Sequence, residues 1–155
     1  MNRLIHSALR GDLAGVQEAL REGEYVDSIE VEHGNTALMV AAHYGHAAIV
    51  TRLLEAGADV EMRCHESNTA LIKAAWGGST ETVDLLIAAG ADVNARERCQ
   101  MTALMIAAFH GHLEVIKRLV QAGADAYLID EDNFTALDNA KFEEHWDVFN
   151  FLKTV

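Results

Sequence analysis

The residues best equipped for chemistry in this chain are its two cysteines and its eight histidines, and their spacing limits what they can do. Cys64, His65 and Cys99 are donors that zinc accepts, with His33 one segment earlier. No CxxC-type spacing accompanies them, so a zinc site is not expected and neither is a disulfide framework. Asp130-Glu131-Asp132-Asn133 begins like a calcium loop. The loop then needs glycine at its sixth position and a bidentate glutamate at its twelfth, and here those positions hold Thr135 and Lys141. HExxH, GxSxG and the glycine-rich Lys-Ser/Thr phosphate loop are all missing. No catalytic residue, metal ligand or cofactor site is therefore assigned, and the chain reads as a non-enzyme.

Charge narrows the partners. Twelve Lys and Arg stand against 24 Asp and Glu, a formal net charge of −12. Such a surface repels phosphate backbones and anionic membranes, which bind through clustered basic residues. A protein with a basic or mixed-charge surface would be drawn to it, and the long-range field would chiefly speed the encounter. Half of the residues are apolar and 23% charged, enough to build a continuous core. Apolar runs stop well short of the roughly 18 residues of a membrane span. The start, Met1-Asn2-Arg3-Leu4-Ile5-His6-Ser7, lacks the apolar stretch of a signal peptide, so a cytoplasmic location is expected.

The scaffold that must position these residues is announced by repetition. Thr-Ala-Leu recurs every 33 residues at Thr36, Thr69, Thr102 and Thr135. Gly-Ala-Asp keeps the same period at Gly57, Gly90 and Gly123, as do the pairs Ala41-Ala42, Ala74-Ala75 and Ala107-Ala108. Each marker has a physical role. The Thr hydroxyl can cap a helix by accepting from a free N–H of its first turn. Paired alanines let neighbouring helices approach closely. Val50, Leu53 and Leu54 share one face of a second helix, and Gly57 follows its last turn, where a left-handed conformation is least costly for glycine.

This cycle resembles the ankyrin repeat, whose period is 33 and whose signature is T-P-L-H-x-A. Gly111-His112-Leu113-Glu114-Val115-Ile116 and Gly90-Ala91-Asp92-Val93-Asn94 carry the likeness further, and it spans nearly the whole chain. Ala replaces Pro in all four Thr-led copies, and Met39, Ile72, Met105 and Asp138 replace His. The resemblance implies an all-α solenoid of stacked helix-turn-helix units with hairpin-like loop tips. It would form a single domain over residues 1–155, with repeats at about 1–30, 31–63, 64–96, 97–129 and 130–155. The end units differ, as capping repeats should. The first carries an extra residue near Ile29-Glu30. The last has Lys141 and Glu144 where Ala and Gly would stand, and a final helix beginning near His145 with Val148, Phe149 and Leu152 inward. His46 and His112, at the glycine turns, are expected to hydrogen-bond within the turn.

In such stacks partners meet the loop tips and the exposed side of the first helices, so the resemblance also implies a monomeric protein-binding module, an adaptor or inhibitor. Placed in register, one first-helix position gives Leu9, His43, Trp76, Phe109 and Phe142, and the next gives Arg10, Tyr44, Gly77, His110 and Glu143. Aromatic residues make up only 6% of the chain, so their concentration in one row is informative. Large aromatic side chains in half-exposed positions are favoured hot spots. The expected contact residues are His43, Tyr44, Trp76, Phe109 and His110, with Arg63, Arg96 and Arg98 at the central tips, between acidic tips bearing Glu30 and Glu32 on one side and Asp130, Glu131 and Asp132 on the other. A second possibility is a small-ligand or peptide pocket beside Trp76, where Gly77 leaves room.

Overall fold

The computed structural model describes residues 2–155 and contains ten α-helices. They are α1 (Arg3–Leu9), α2 (Leu13–Arg21), α3 (Ala37–His43), α4 (Ala47–Glu55), α5 (Ala70–Gly77), α6 (Thr80–Ala88), α7 (Ala103–Phe109), α8 (Leu113–Gln121), α9 (Ala136–Phe142) and α10 (Trp146–Leu152). Each odd helix packs on the even helix that follows it. The odd helices also pack on one another in chain order, and the even helices do the same behind them. The result is the expected all-α solenoid, two helical rows deep. Among the described residues the extended segments form isolated bridges, Ile29 with Thr36 and Arg96 with Thr102.

The local causes are those the repeat suggested. Thr36, Thr69, Thr102 and Thr135 accept from the backbone N–H three residues on, capping α3, α5, α7 and α9. At Thr135 the cap is reciprocal, because the Asp138 carboxylate also accepts from the Thr135 N–H. The alanine pairs are buried, as are Val16, Val50, Leu53, Val83, Leu86, Ile116 and Leu119 from the second row. Leu54 lies only partly inside. In the last pair Val148 and Leu152 are buried, whereas Phe149, expected inward, is only half-covered.

Two departures from the motif have geometric consequences. The inter-helix turn takes a left-handed residue at Gly11, Gly45, Gly78 and Gly111, and the fifth copy puts Glu144 there at φ 58°. A side chain in that region costs roughly 1 kcal/mol. In the first loop tip, Glu30 N–H bonds to Asn35 O, five residues on. The later tips close over four, from Cys64 to Asn68, Glu97 to Met101 and Asp130 to Phe134. The extra residue near Glu30 is thus absorbed inside the tip.

Adjacent repeats are also stitched through their loops. His65 N–H donates to His33 O, Arg98 N–H to Glu66 O and Glu131 N–H to Cys99 O. Asp27, Glu61 and Asn94 side chains accept from the backbone N–H of Asp59, Asp92 and Asp125 in the next repeat. Each of those aspartates in turn accepts from the N–H two residues further on.

Candidate protein-binding face

The last turns of α3, α5 and α7 carry the aromatic row, and the helix ends fix where it lies. His43, Trp76 and Phe109 sit in the final turns of α3, α5 and α7, and Tyr44 and His110 cap α3 and α7. Tyr44, Trp76 and Phe109 are 56%, 42% and 37% exposed, large apolar groups that the core does not absorb. The rings form a continuous chain. His43 meets Tyr44 and Trp76 edge-on at 4.9 and 6.2 Å, and Trp76 stacks on His110 at 5.6 Å. His110 then meets Phe109 edge-on at 5.2 Å and stacks on His112 at 5.9 Å. Phe142, 70% exposed, lies apart against Phe134 in the terminal pair.

What holds the row in place is the backbone behind it. The ring of His112 hydrogen-bonds the Trp76 carbonyl at 3.1 Å, and that of His145 the Phe109 carbonyl at 3.0 Å. A carbonyl only accepts, so Nε2 carries the proton in both cases. The same rings cover the glycine turns of the preceding pairs, His46 over Gly11, His112 over Gly78 and His145 over Gly111. These histidines were expected to bond within their own turn. His112 bonds across to the previous repeat instead, as does His145, and His46 only covers Gly11, because the left-handed glycine leaves a ring-sized space there. Gly77 is also not what the sequence suggested. A Cβ on it would stand 1.9 Å from His43 O, so it brings α5 close to α3 and does not hollow out a pocket.

A groove of about 420 Å³ does lie next to Trp76, on its other side. Ile5, Leu9, Met39 and Val40 line it with apolar surface, Tyr44, Trp76 and Lys73 contribute from α3 and α5, and the first loop tip closes it with Glu30, Glu32 and Asn35. Lys73 sits over the Trp76 ring, Nζ 5.6 Å from its centre. Sequence reading passed over Lys73, although its position three residues before Trp76 on one helix was a signal that the two would meet.

The histidines of the row are tuned by their surroundings. Burial, and then the Lys73 charge, lower the pKa of His43, against an opposing hydrogen bond with the Lys73 backbone. Burial also lowers that of His110, helped by His112, His145 and His43 and opposed by Glu143. Both therefore present mainly neutral rings near neutral pH.

At the tips the predicted arginines do different things. Arg63 donates to Ser67 O at 3.1 Å and Arg96 O at 2.8 Å, and Arg96 donates to Gln100 Oε1 at 3.4 Å and Ile129 O at 3.2 Å. Both link neighbouring tips. Arg98 is exposed. Glu30 folds inward: burial pushes its carboxyl up, but N–H donors from Asn35, Glu32 and His33 and the Asn35 amide outweigh this and hold it below its usual range. Cys64 is buried, while Cys99 is exposed. Among the described residues no three His, Cys, Asp or Glu gather closely enough to hold a metal ion. Among them, too, no helix is long and apolar enough to cross a membrane.

Fold and face together define a helical repeat solenoid that presents a half-exposed aromatic row. A family model described as ankyrin repeats in three copies matches residues 4–97, and one described as ankyrin repeats in many copies matches residues 78–120 and 107–152. The chain belongs to the ankyrin-repeat family. No curated protein matches it at a significant level. Ankyrin repeats generally mediate protein–protein interactions and are typically non-catalytic.

Proposed function

We propose that this chain is an adaptor or inhibitor that binds a partner protein through the row formed by His43, Tyr44, Trp76, Phe109 and His110, with Arg63, Arg96 and Arg98 contributing at the tips. The observation that carries this reading is that the exposed Tyr44, Trp76 and Phe109 belong to one connected chain of rings with His43 and His110, whereas the other exposed aromatics, Tyr25, Tyr127, Phe134, Phe142 and Trp146, lie outside it. Half-exposed aromatics on a rigid support bury much area at little entropy cost when a partner arrives. The net charge of −12 favours a partner with a basic or mixed-charge surface. It acts as a monomer in the cytoplasm.

The test compares the wild-type chain with a Tyr44→Ala, Trp76→Ala, Phe109→Ala triple variant as baits in host lysate, after circular dichroism establishes that both fold alike. A protein retained by the first and lost by the second supports the reading. Identical retention by both moves binding to the tips or the opposite surface. A second reading, a small ligand or peptide beside Trp76, is favoured by the groove of about 420 Å³. Quenching of Trp76 fluorescence in a Trp146→Phe background would report such a ligand.

A further inference from the structure

Among the described residues, two buried side-chain polar atoms have no hydrogen-bond partner, Asn35 Oδ1 and His43 Nδ1. Buried polar atoms are nearly always paired, so each exception needs a reason. Both residues line the same groove. The orientation of Asn35 is settled by its surroundings, because its Nδ2 donates to Glu30 Oε1 at 3.1 Å and a carboxylate oxygen only accepts. The free end is therefore the carbonyl, an acceptor. Burial and the Lys73 charge favour a neutral His43 ring, and with the ring proton on Nε2 the unpartnered Nδ1 is an acceptor. The complement to both atoms is a group that carries several N–H donors.

The rest of the groove limits what that group is attached to. Its floor is aliphatic, and Tyr44 and Trp76 stand at its edge with exposed ring area. The charged or titratable groups that face it are His6, Glu30, Glu32, His33, His43 and Lys73. Glu30 is already engaged by four N–H groups, so Glu32 supplies the open carboxylate at the mouth. Lys73 is the opposing charge and leans on Trp76. A guanidinium suits this setting better than an ammonium. It is planar, weakly hydrated, carries five donors in a fixed fork and stacks on aromatic faces.

We propose that the groove receives an arginine side chain of the partner, with its guanidinium donating to Asn35 Oδ1 and His43 Nδ1, its plane against the Tyr44 ring and its methylenes over Met39 and Val40. The proposal rests on the protein-binding reading above and adds the residue that the partner contributes. Asn35 and His43 are half-buried as residues although these two atoms are covered, so binding requires both side chains to turn toward the groove.

The test titrates ¹⁵N-labelled full-length chain with N-acetyl-arginine amide, N-acetyl-lysine amide and N-acetyl-glutamine amide, following the Asn35 side-chain amide and the Trp76 indole. The arginine compound should saturate both signals with half-saturation of about 1 mM, a reasonable bound for a ligand of its size. The lysine and glutamine compounds should bind at least about fivefold more weakly, because neither presents the forked donor set. His43→Phe should weaken arginine binding about tenfold, and His43→Gln, which restores an acceptor, should recover part of it. Circular dichroism establishes that each variant folds. The absence of a saturable shift, equal binding of arginine and lysine, or arginine binding that survives His43→Phe would each overturn the proposal. Failure here leaves the row intact as a docking surface if the triple variant still loses its partner. Loss of that difference as well would sink the underlying reading.

Discussion

The loop tips and the aromatic row recur with the same 33-residue period, yet they divide side chain and backbone in opposite ways. At the tips the arginine side chains build the scaffold. Arg63 and Arg96 each reach a carbonyl one repeat onward, which leaves less of the guanidinium to meet a partner. In the row the backbone builds the scaffold. The carbonyls of Trp76 and Phe109 take the histidine hydrogen bonds, and the rings stay exposed. A binding surface is easier to vary when its side chains carry no structural duty, and here that surface is the row.

The largest effect should come from the one place where the row depends on a side chain being absent. Gly77→Ala puts a Cβ against His43 O, a backbone atom that cannot turn aside, so α3 and α5 must separate. Overpacking of this kind costs about 3 kcal/mol, and urea unfolding should show it as a clearly lower midpoint. Trp76 and His43 would shift with their helices. A midpoint close to wild type would mean that the helices slide freely, and the row would then be no fixed surface.

Arg63→Ala sharpens the contrast from the other side. It removes two charge-assisted bonds, one within its own tip and one to the next, and should lower stability by about 1 kcal/mol. Arg98→Ala is the matched control, since the exposed Arg98 side chain makes no hydrogen bond or ion pair among the described residues. Its stability should stay within about 0.5 kcal/mol of wild type. Equal losses in the two variants would remove the structural distinction between the arginines.

Much of this was legible in the sequence because periodic constraints repeat and so reinforce one another. The Thr caps, alanine pairs and left-handed glycines each occupy one register, and the row followed from setting Leu9, His43, Trp76 and Phe109 side by side. What stayed hidden were contacts between registers. His112 reaching Trp76 O, Arg63 reaching Arg96 O and the clash that forces Gly77 all join residues about 33 apart, and their distances depend on how tightly the repeats stack. Cys64 illustrates the same limit. It takes the place in its tip that Glu97 and Asp130 hold in theirs, but it is buried with the core cluster. Spacing assigned it to a loop and could not reveal the cover.

The smallest expected effect is on acid stability, and it separates row from tip by pH window. Folding lowers the pKa of His110 below its ordinary value of 6.5, so the unfolded chain binds more protons there. The penalty is absent above pH 6.5 and develops as pH falls from 6.5 through the folded value. Glu30 in the first tip also has a lowered pKa, against an ordinary 4.5. Its contribution is complete above pH 4.5 and is lost as pH falls through its folded value. Stability should therefore decline in two steps, the row first and the tip later. His110→Gln should shrink the first step, to which His43 also contributes, and Glu30→Gln the second, to which Asp138 also contributes, measured as urea midpoints between pH 7.5 and 3. NMR titrations of His43 and His110 with both midpoints at or above 6.5 would remove the first step, and with it the view that the row keeps its histidines neutral for a partner.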